Sequence, residues 1–214
     1  MAKPVLHYVD GRGNAERIRF VLAGAGIDFD EHNLTSKEER LDLIASGKVI
    51  GGVVPMLSID GLNVSQSWAI VRYLARHRGL EPESVEEQTT ADVIFECIRD
   101  FETSANLGGY GWSDKQEHKE KFVTASAKWF PRFEALIKGP YLLGEKAYYC
   151  DYVLLNSLLF VDEVLPGTVD TYPKLATLRD TLVAMPNIKA FLASEKRKPQ
   201  VNEEYIKLVR TVFF

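Results

Sequence analysis

Val54-Pro55-Met56-Leu57-Ser58-Ile59-Asp60-Gly61-Leu62-Asn63-Val64-Ser65-Gln66-Ser67-Trp68 reads as a proline entry, two short strands and the opening of a helix. Asp60-Gly61 between apolar runs is the strongest short hairpin signal in the chain. Met56 to Ile59 is one strand, and Leu62 to Val64 returns as its partner. Ser67 reads as the cap of a helix through Arg78, with Ile70, Leu74 and His77 on one face and Gly79 at its end. Upstream, Pro4 to Val9 is a strand ended by Asp10-Gly11. Ile18, Val21, Leu22 and Ala25 then mark one face of a helix that stops at Gly26. Ile27 to Leu34 is a second strand and Ser36 to Ala45 a short, charged helix. The order βαβ-αββα predicts a small mixed sheet with helices on its faces.

Leu80-Glu81-Pro82-Glu83-Ser84 is a polar connector, and beyond it only helical periods recur. Candidates run from Val85 to Tyr110, Asp114 to Lys138, Asp151 to Val164, Pro173 to Ala184, Asn187 to Ala193 and Glu203 to Phe213. The expected organisation is an α/β domain over residues 1–80, a linker over 81–87 and an all-α domain over 88–214. The 214 residues carry a formal net charge of -4, with 46% hydrophobic and 26% charged side chains, which excludes global disorder. Mild acidity argues against a nucleic-acid partner. Two cysteines, Cys97 and Cys150, make no disulfide framework, so a reducing, cytoplasmic setting is expected. Tyr152 to Val161, the longest nearly apolar run, is too short to span a bilayer, and no membrane association is expected. Lys3-Pro4 leads straight into a strand-like stretch rather than a signal peptide.

Several constellations fail. Gly11-Arg12-Gly13 has Glu16 at the third glycine position of a dinucleotide fingerprint, where a carboxylate repels a pyrophosphate, and the strand order offers no parallel βαβ pair of the required kind. His7, His32, His77 and His118 lie far apart in the chain without cysteine partners, so no metal site is expected. No Cys-x-x-Cys exists, which excludes a thiol–disulfide exchanger. Cys97 reads as a small residue packed on an apolar helix face.

The surviving residues sit at element ends. Tyr8 closes the first strand, where its hydroxyl can face a cleft above the sheet. Pro55 enters the third strand, where an extended ligand can pair with the backbone of Val54 if that bond is cis. Gln66 and Ser67 open a helix whose N–H groups and dipole suit a carboxylate. Together they describe a cleft for a small extended molecule with amides and at least one carboxylate. Singly, each has a structural explanation: half-buried core, rigid turn and N-cap.

In this order the motifs resemble those of cytosolic glutathione transferases. The resemblance runs through Leu6-His7-Tyr8, Gly11-Arg12-Gly13, Val54-Pro55-Met56, Ile59-Asp60-Gly61, Gln66-Ser67 and Ala69-Ile70-Val71-Arg72-Tyr73-Leu74. The alpha class is the most similar, through Trp129-Phe130-Pro131, Phe133-Glu134, Arg197-Lys198-Pro199 and Val212-Phe213-Phe214; sigma-type enzymes come second. The resemblance implies a thioredoxin-like first domain and a homodimer. It implies glutathione as co-substrate, no other cofactor, and a hydrophobic electrophile as partner. Tyr8 is then the catalytic donor that favours the thiolate. Val54 and Pro55 hold the cysteinyl part, and Gln66 and Ser67 the γ-glutamyl carboxylate. Asp100 and Lys128 serve the partner subunit's glutathione. Asn14 stands where the alpha pattern has arginine, and Ile44 where it has a basic residue for the glycyl carboxylate, a role for which Arg40 or Lys48 can substitute. Gly51 stands where an aromatic locks some dimers. Tyr148 replaces a short hydroxyl three residues before Asp151, so only half of a capping box is expected.

The electrophile site is expected between the domains, lined by Val9, Gly13, Leu107 and Tyr110. The last helix, which carries Tyr205, Leu208, Val209, Val212 and Phe213, closes it either as a lid or as plain core packing. Conjugation is the expected reaction, with peroxide reduction or isomerisation as further uses of the same thiolate. A crystallin or ligand carrier of the same fold is the non-catalytic alternative.

Overall fold

The computed structural model describes residues 2–107 and 116–214. Strand β1 (Val5–Tyr8) leads through a 3-10 turn (Gly13–Ala15) into helix α1 (Glu16–Gly24), followed by β2 (Asp30–Asn33) and α2 (Lys37–Ala45). Then come β3 (Met56–Ile59), β4 (Leu62–Ser65) and α3 (Ser67–His77). The sheet order is β2-β1-β3-β4, with β1 and β2 parallel and the other pairs antiparallel. Asp60 and Gly61, at φ 53° and 80°, make the β3–β4 hairpin with both central residues left-handed, as a type I′ turn requires.

β1-α1-β2 is a parallel βαβ unit, which corrects the expectation that no such pair exists. What remains against a dinucleotide is Glu16 itself, buried and paired with Arg19 at 2.8 Å. β2 starts three residues later than predicted. α1 also differs from its amphipathic reading: Glu16, Arg17 and Arg19 are buried alongside Ile18, Val21 and Leu22. The helix is enclosed because α3, α6 and α8 all pack against it.

The helical half contains α4 (Val85–Ala105), α5 (Gln116–Leu136), α6 (Tyr149–Val164), α7 (Pro173–Ala184), α8 (Pro186–Leu192) and α9 (Glu203–Phe213). α4 stops short of its predicted end because Asn106 adopts the left-handed conformation at φ 56° and caps it. α5 likewise ends two residues short of its predicted end, at Leu136, and its predicted start lies outside the described residues. Tyr110 lies outside the described residues. The apolar run at 152–161 becomes the buried central helix α6, apolar all round as a core helix must be. Its start rests on Asp151, whose carboxylate accepts from the N–H of Tyr148 at 2.9 Å and of Leu142 at 2.8 Å. Tyr148 supplies no side-chain cap, so the carboxylate half of the box acts alone. Burial pushes the Asp151 carboxyl up to about 7 against the pull of those N–H groups. One continuous apolar core runs from β1 and α1 through α4, α5 and α6 to α9. No helix among the described residues is long and apolar enough to cross a membrane.

Candidate active site

Tyr8 ends β1 and is 1% exposed. Its oxygen accepts the Asn14 backbone N–H at 3.3 Å. The Gly11–Gly13 segment passes so close that a Cβ on Gly13 would lie 2.5 Å from the Tyr8 oxygen and 2.8 Å from the Tyr205 oxygen. A Cβ on Gly11 would strike the Tyr205 ring at 2.1 Å. Glycine is required here by close approach of two phenols, and at Gly13 also by a φ of 38°. Burial pushes the Tyr8 phenol well above its ordinary range, and the neighbouring Tyr205 hydroxyl adds to the rise. The Asn14 N–H and the Arg17 cation pull the other way and lose. Tyr8 therefore stays protonated at neutral pH and keeps a hydroxyl hydrogen that can be donated.

Ser67 is the first residue of α3, 5% exposed, and not its cap as predicted. The capping position falls to Gln66, exposed and at φ 71°, with no side-chain cap bond. Ser67 Oγ instead accepts from Arg17 Nη1 at 2.8 Å. Next to the hairpin, Val54 and Pro55 are buried, and the bond between them is cis.

Arg17 is the residue that sequence reasoning missed. It is 4% exposed, pairs with Glu102 of α4 through Nη2, and gives Nη1 to Ser67 and to Asn14 Oδ1 at 3.0 Å. Its Nε has no acceptor among the described residues. With Gly13, Glu102, Leu107, Asn156 and Tyr205 it lines a cavity of about 20 Å³ between the two halves. Arg12 is spent elsewhere: it pairs with Glu163 of α6 and donates from Nε to Lys198 O at 2.6 Å.

A family model described as glutathione S-transferase, N-terminal domain, matches residues 4–76, and one for the C-terminal domain matches residues 99–195. The chain is also 33% identical over 217 aligned positions to glutathione S-transferase alpha-5 of Rattus norvegicus, covering 99% of this chain and 98% of that one. The chain belongs to the glutathione S-transferase family. Human glutathione S-transferase A4 is 32% identical with the same coverage. The solved glutathione S-transferase of Ascaris lumbricoides superposes with a TM-score of 0.78 at 28% identity, over 94% of this chain and 99% of that one.

In this transferase the predicted residues divide into groups. Arg17 links Asn14 and Ser67, the Asn14 N–H adds Tyr8, and Gly13 and Leu107 meet at the small cavity. Val9, Val209 and Val212 are fully or almost fully buried in the core; Leu208 and Phe213 are half-buried against it. The Phe213 ring centroid stands 6.4 Å from that of Tyr8. Arg40 is already engaged, with Nε on Val212 O at 2.8 Å. Lys48 is exposed on the side of His7. Asp100 lies on the exposed flank of α4, in a groove of about 660 Å³ with Arg72 and Cys97. Lys128 is exposed on α5, with its ammonium 5.1 Å from the Trp129 ring centre. Neither lines the cavity at Gly13.

The histidines also need a correction. His7 and His32 lie in register on the parallel strands β1 and β2, with their Nδ1 atoms 3.0 Å apart. His32 Nε2 reaches Glu39 at 2.9 Å and His7 Nε2 reaches Ser58 Oγ at 3.0 Å. Among the described residues no three metal-ligating side chains converge.

Proposed function

We propose that this transferase conjugates glutathione to hydrophobic electrophiles, with Tyr8 donating its hydroxyl hydrogen to the glutathione sulfur. The observation that carries the reading is the Tyr8 phenol buried at the end of β1, with its oxygen on the Asn14 N–H and its pKa raised by that burial. A free thiol with a pKa of roughly 8.5 is only a few per cent thiolate at neutral pH. A donated phenolic hydrogen bond favours the anion, and a shift of about two units is worth roughly 2.7 kcal/mol. The thiolate attacks the electrophilic carbon, forming the C–S bond as the leaving group departs with the bonding pair.

In this reading residues 1–80 hold glutathione, 81–87 link, and 88–214 complete the electrophile site. Val54 pairs its backbone with the cysteinyl part, next to Pro55. The buried Ser67 hydroxyl and Gln66 at the start of α3 take the γ-glutamyl carboxylate. Asn14 contributes through its backbone N–H. Arg40 is held by α9, which leaves Lys48 as the freer of the two candidates for the glycyl carboxylate. Asp100 and Lys128, exposed and apart from Tyr8, serve the glutathione of the partner in a homodimer. The apolar electrophile meets Val9, Gly13, Leu107, Tyr110, Leu208, Val209, Val212 and Phe213, which requires α9 to yield over Tyr8.

Tyr8→Phe tests this reading. Turnover of a halonitroarene at neutral pH should fall about 25-fold, the ratio of thiolate fractions for thiols two pKa units apart. The KM for glutathione should change little, since one neutral contact is lost. Unchanged turnover would remove Tyr8 from the chemistry.

A further inference from the structure

Arg17 is bound on two sides by groups from both halves of the molecule. On one side Nη2 pairs with Glu102, itself 3% exposed, whose other oxygen accepts from Ser157 Oγ of α6 at 2.8 Å. On the other side Nη1 serves Ser67 Oγ at 2.8 Å, Asn14 Oδ1 at 3.0 Å and Asn14 O at 3.3 Å. Its guanidinium carbon lies 4.5 Å from the Trp68 ring centre. As a staple between helices such a pair is replaceable, because apolar residues of similar volume often do as well in a core. The Nη1 side bears on the site instead.

A serine hydroxyl has a single hydrogen. With a lone pair of Ser67 Oγ occupied by Arg17, that hydrogen remains to be donated to another acceptor, as a carboxylate requires. Asn14 is fixed at two of its oxygens by the same nitrogen, and its backbone N–H is the group that reaches the Tyr8 oxygen. One guanidinium thus holds both ends of the candidate site. Only a planar fork, pinned at its far side by Glu102, can do this.

We propose that Arg17 is the positioning cation of this site. It is held by Glu102 across the domain interface, orients Ser67 as a carboxylate donor, and keeps the Asn14 N–H on the Tyr8 oxygen. Its charge also favours a thiolate beside Tyr8, where Asn14 itself carries none; of the other groups that face this cavity, Arg12 is paired with Glu163, Glu16 with Arg19, and the Tyr205 hydroxyl of α9 acts on Tyr8 in the opposite sense. The inference rests on the reading of Tyr8 and Ser67 given above.

The test is the pH profile of halonitroarene conjugation together with the KM for glutathione. Arg17→Met is combined with Glu102→Leu, so that no buried charge is left unpaired. Arg17→Gln with Glu102→Gln is a polar version for the same readouts if the apolar pair does not fold. The pair is neutral as a whole, but Arg17 is the member that acts on Tyr8, so in either double variant the alkaline rise of the profile should move up by about one pH unit. The KM for glutathione should rise roughly tenfold as Ser67 loses its orientation. Arg17→Lys should keep the profile of the parent protein and still raise KM, because a point charge cannot hold Ser67 and Asn14 together. A merely structural pair moves neither readout, so a folded double variant with the parent profile and KM overturns the proposal. So does Arg17→Lys with a profile displaced as far as the double variant. A parent protein that neither binds nor turns over glutathione overturns the site reading and the Arg17 proposal together, a failure seen before any variant is made.

Discussion

Burial beside the Tyr205 hydroxyl pushes the Tyr8 phenol above its ordinary range, so its proton stays in place near neutral pH. Gln66 poses a different problem: a residue with a Cβ at φ 71° sits in a region that favours glycine. Such strain costs on the order of 1 kcal/mol and persists where a side chain is needed. Gln66→Gly should therefore raise stability by about 1 kcal/mol in urea unfolding while weakening glutathione binding. A variant that gains stability with unchanged glutathione affinity would show that the Gln66 side chain has no part in the site. At this scale Tyr8, Gln66 and Ser67 were legible because they lie at the ends of elements, where turn and cap chemistry is local. Arg17 was not. Helical periodicity assigns charged positions to solvent, and its partner Glu102 is 85 positions away. His7 and His32 escaped for a related reason, since their contact depends on a parallel register that local pattern does not encode.

Elements were legible in proportion to the local chemistry of their ends. The β3–β4 hairpin follows from Asp60-Gly61, and α7 starts as predicted at Pro173, which suits a first helical position. α9 begins after Asn202, whose side chain accepts from the Tyr205 N–H at 2.8 Å. β2, α4 and α5 were overextended because apolar residues continue beyond the last paired or capped residue. α6 shows how far one side chain can set a boundary. Asp151 takes the buried N–H of Leu142 and the half-buried one of Tyr148. Asp151→Ala should destabilise the protein by about 2 kcal/mol in chemical unfolding, because a helix cap is lost and the Leu142 N–H stays buried without its acceptor. A loss below the error of the measurement would mean that water or a backbone shift satisfies both N–H groups. The raised Asp151 pKa has a definite sign. The folded state holds a proton there between about 3.8 and 7 that the unfolded chain has released, so this group's contribution declines as pH rises through that window.

At the scale of the molecule, the two halves are joined through charge as well as apolar packing. Arg12 and Arg197 share Glu163 of α6, and Arg197 also reaches Glu16 of α1. Lys198 bridges Asp10 and Glu31. These pairs tie the segment between β1 and α1 to the chain just before α9, so Tyr8 is held from both domains. α9 in turn is held at its end by Arg40 on Val212 O and by Lys37 on Phe214 O. The two-part architecture could be read from the change of period near residue 80. The bonds across it could not, because each joins positions that no local window contains. The buried arginines near this junction, Arg12, Arg17 and Arg19, are each paired with a carboxylate, so the region offers placed donors rather than a broad basic field.

The most direct measurement is retention of the purified chain on immobilised glutathione, with thioether formation from a halonitroarene assayed on the material that free glutathione elutes. Retention, specific elution and turnover by the eluted protein are the expected results. Passage through the column would contradict the glutathione site, and retention without turnover would contradict the role given to Tyr8 in favour of a carrier of the same fold.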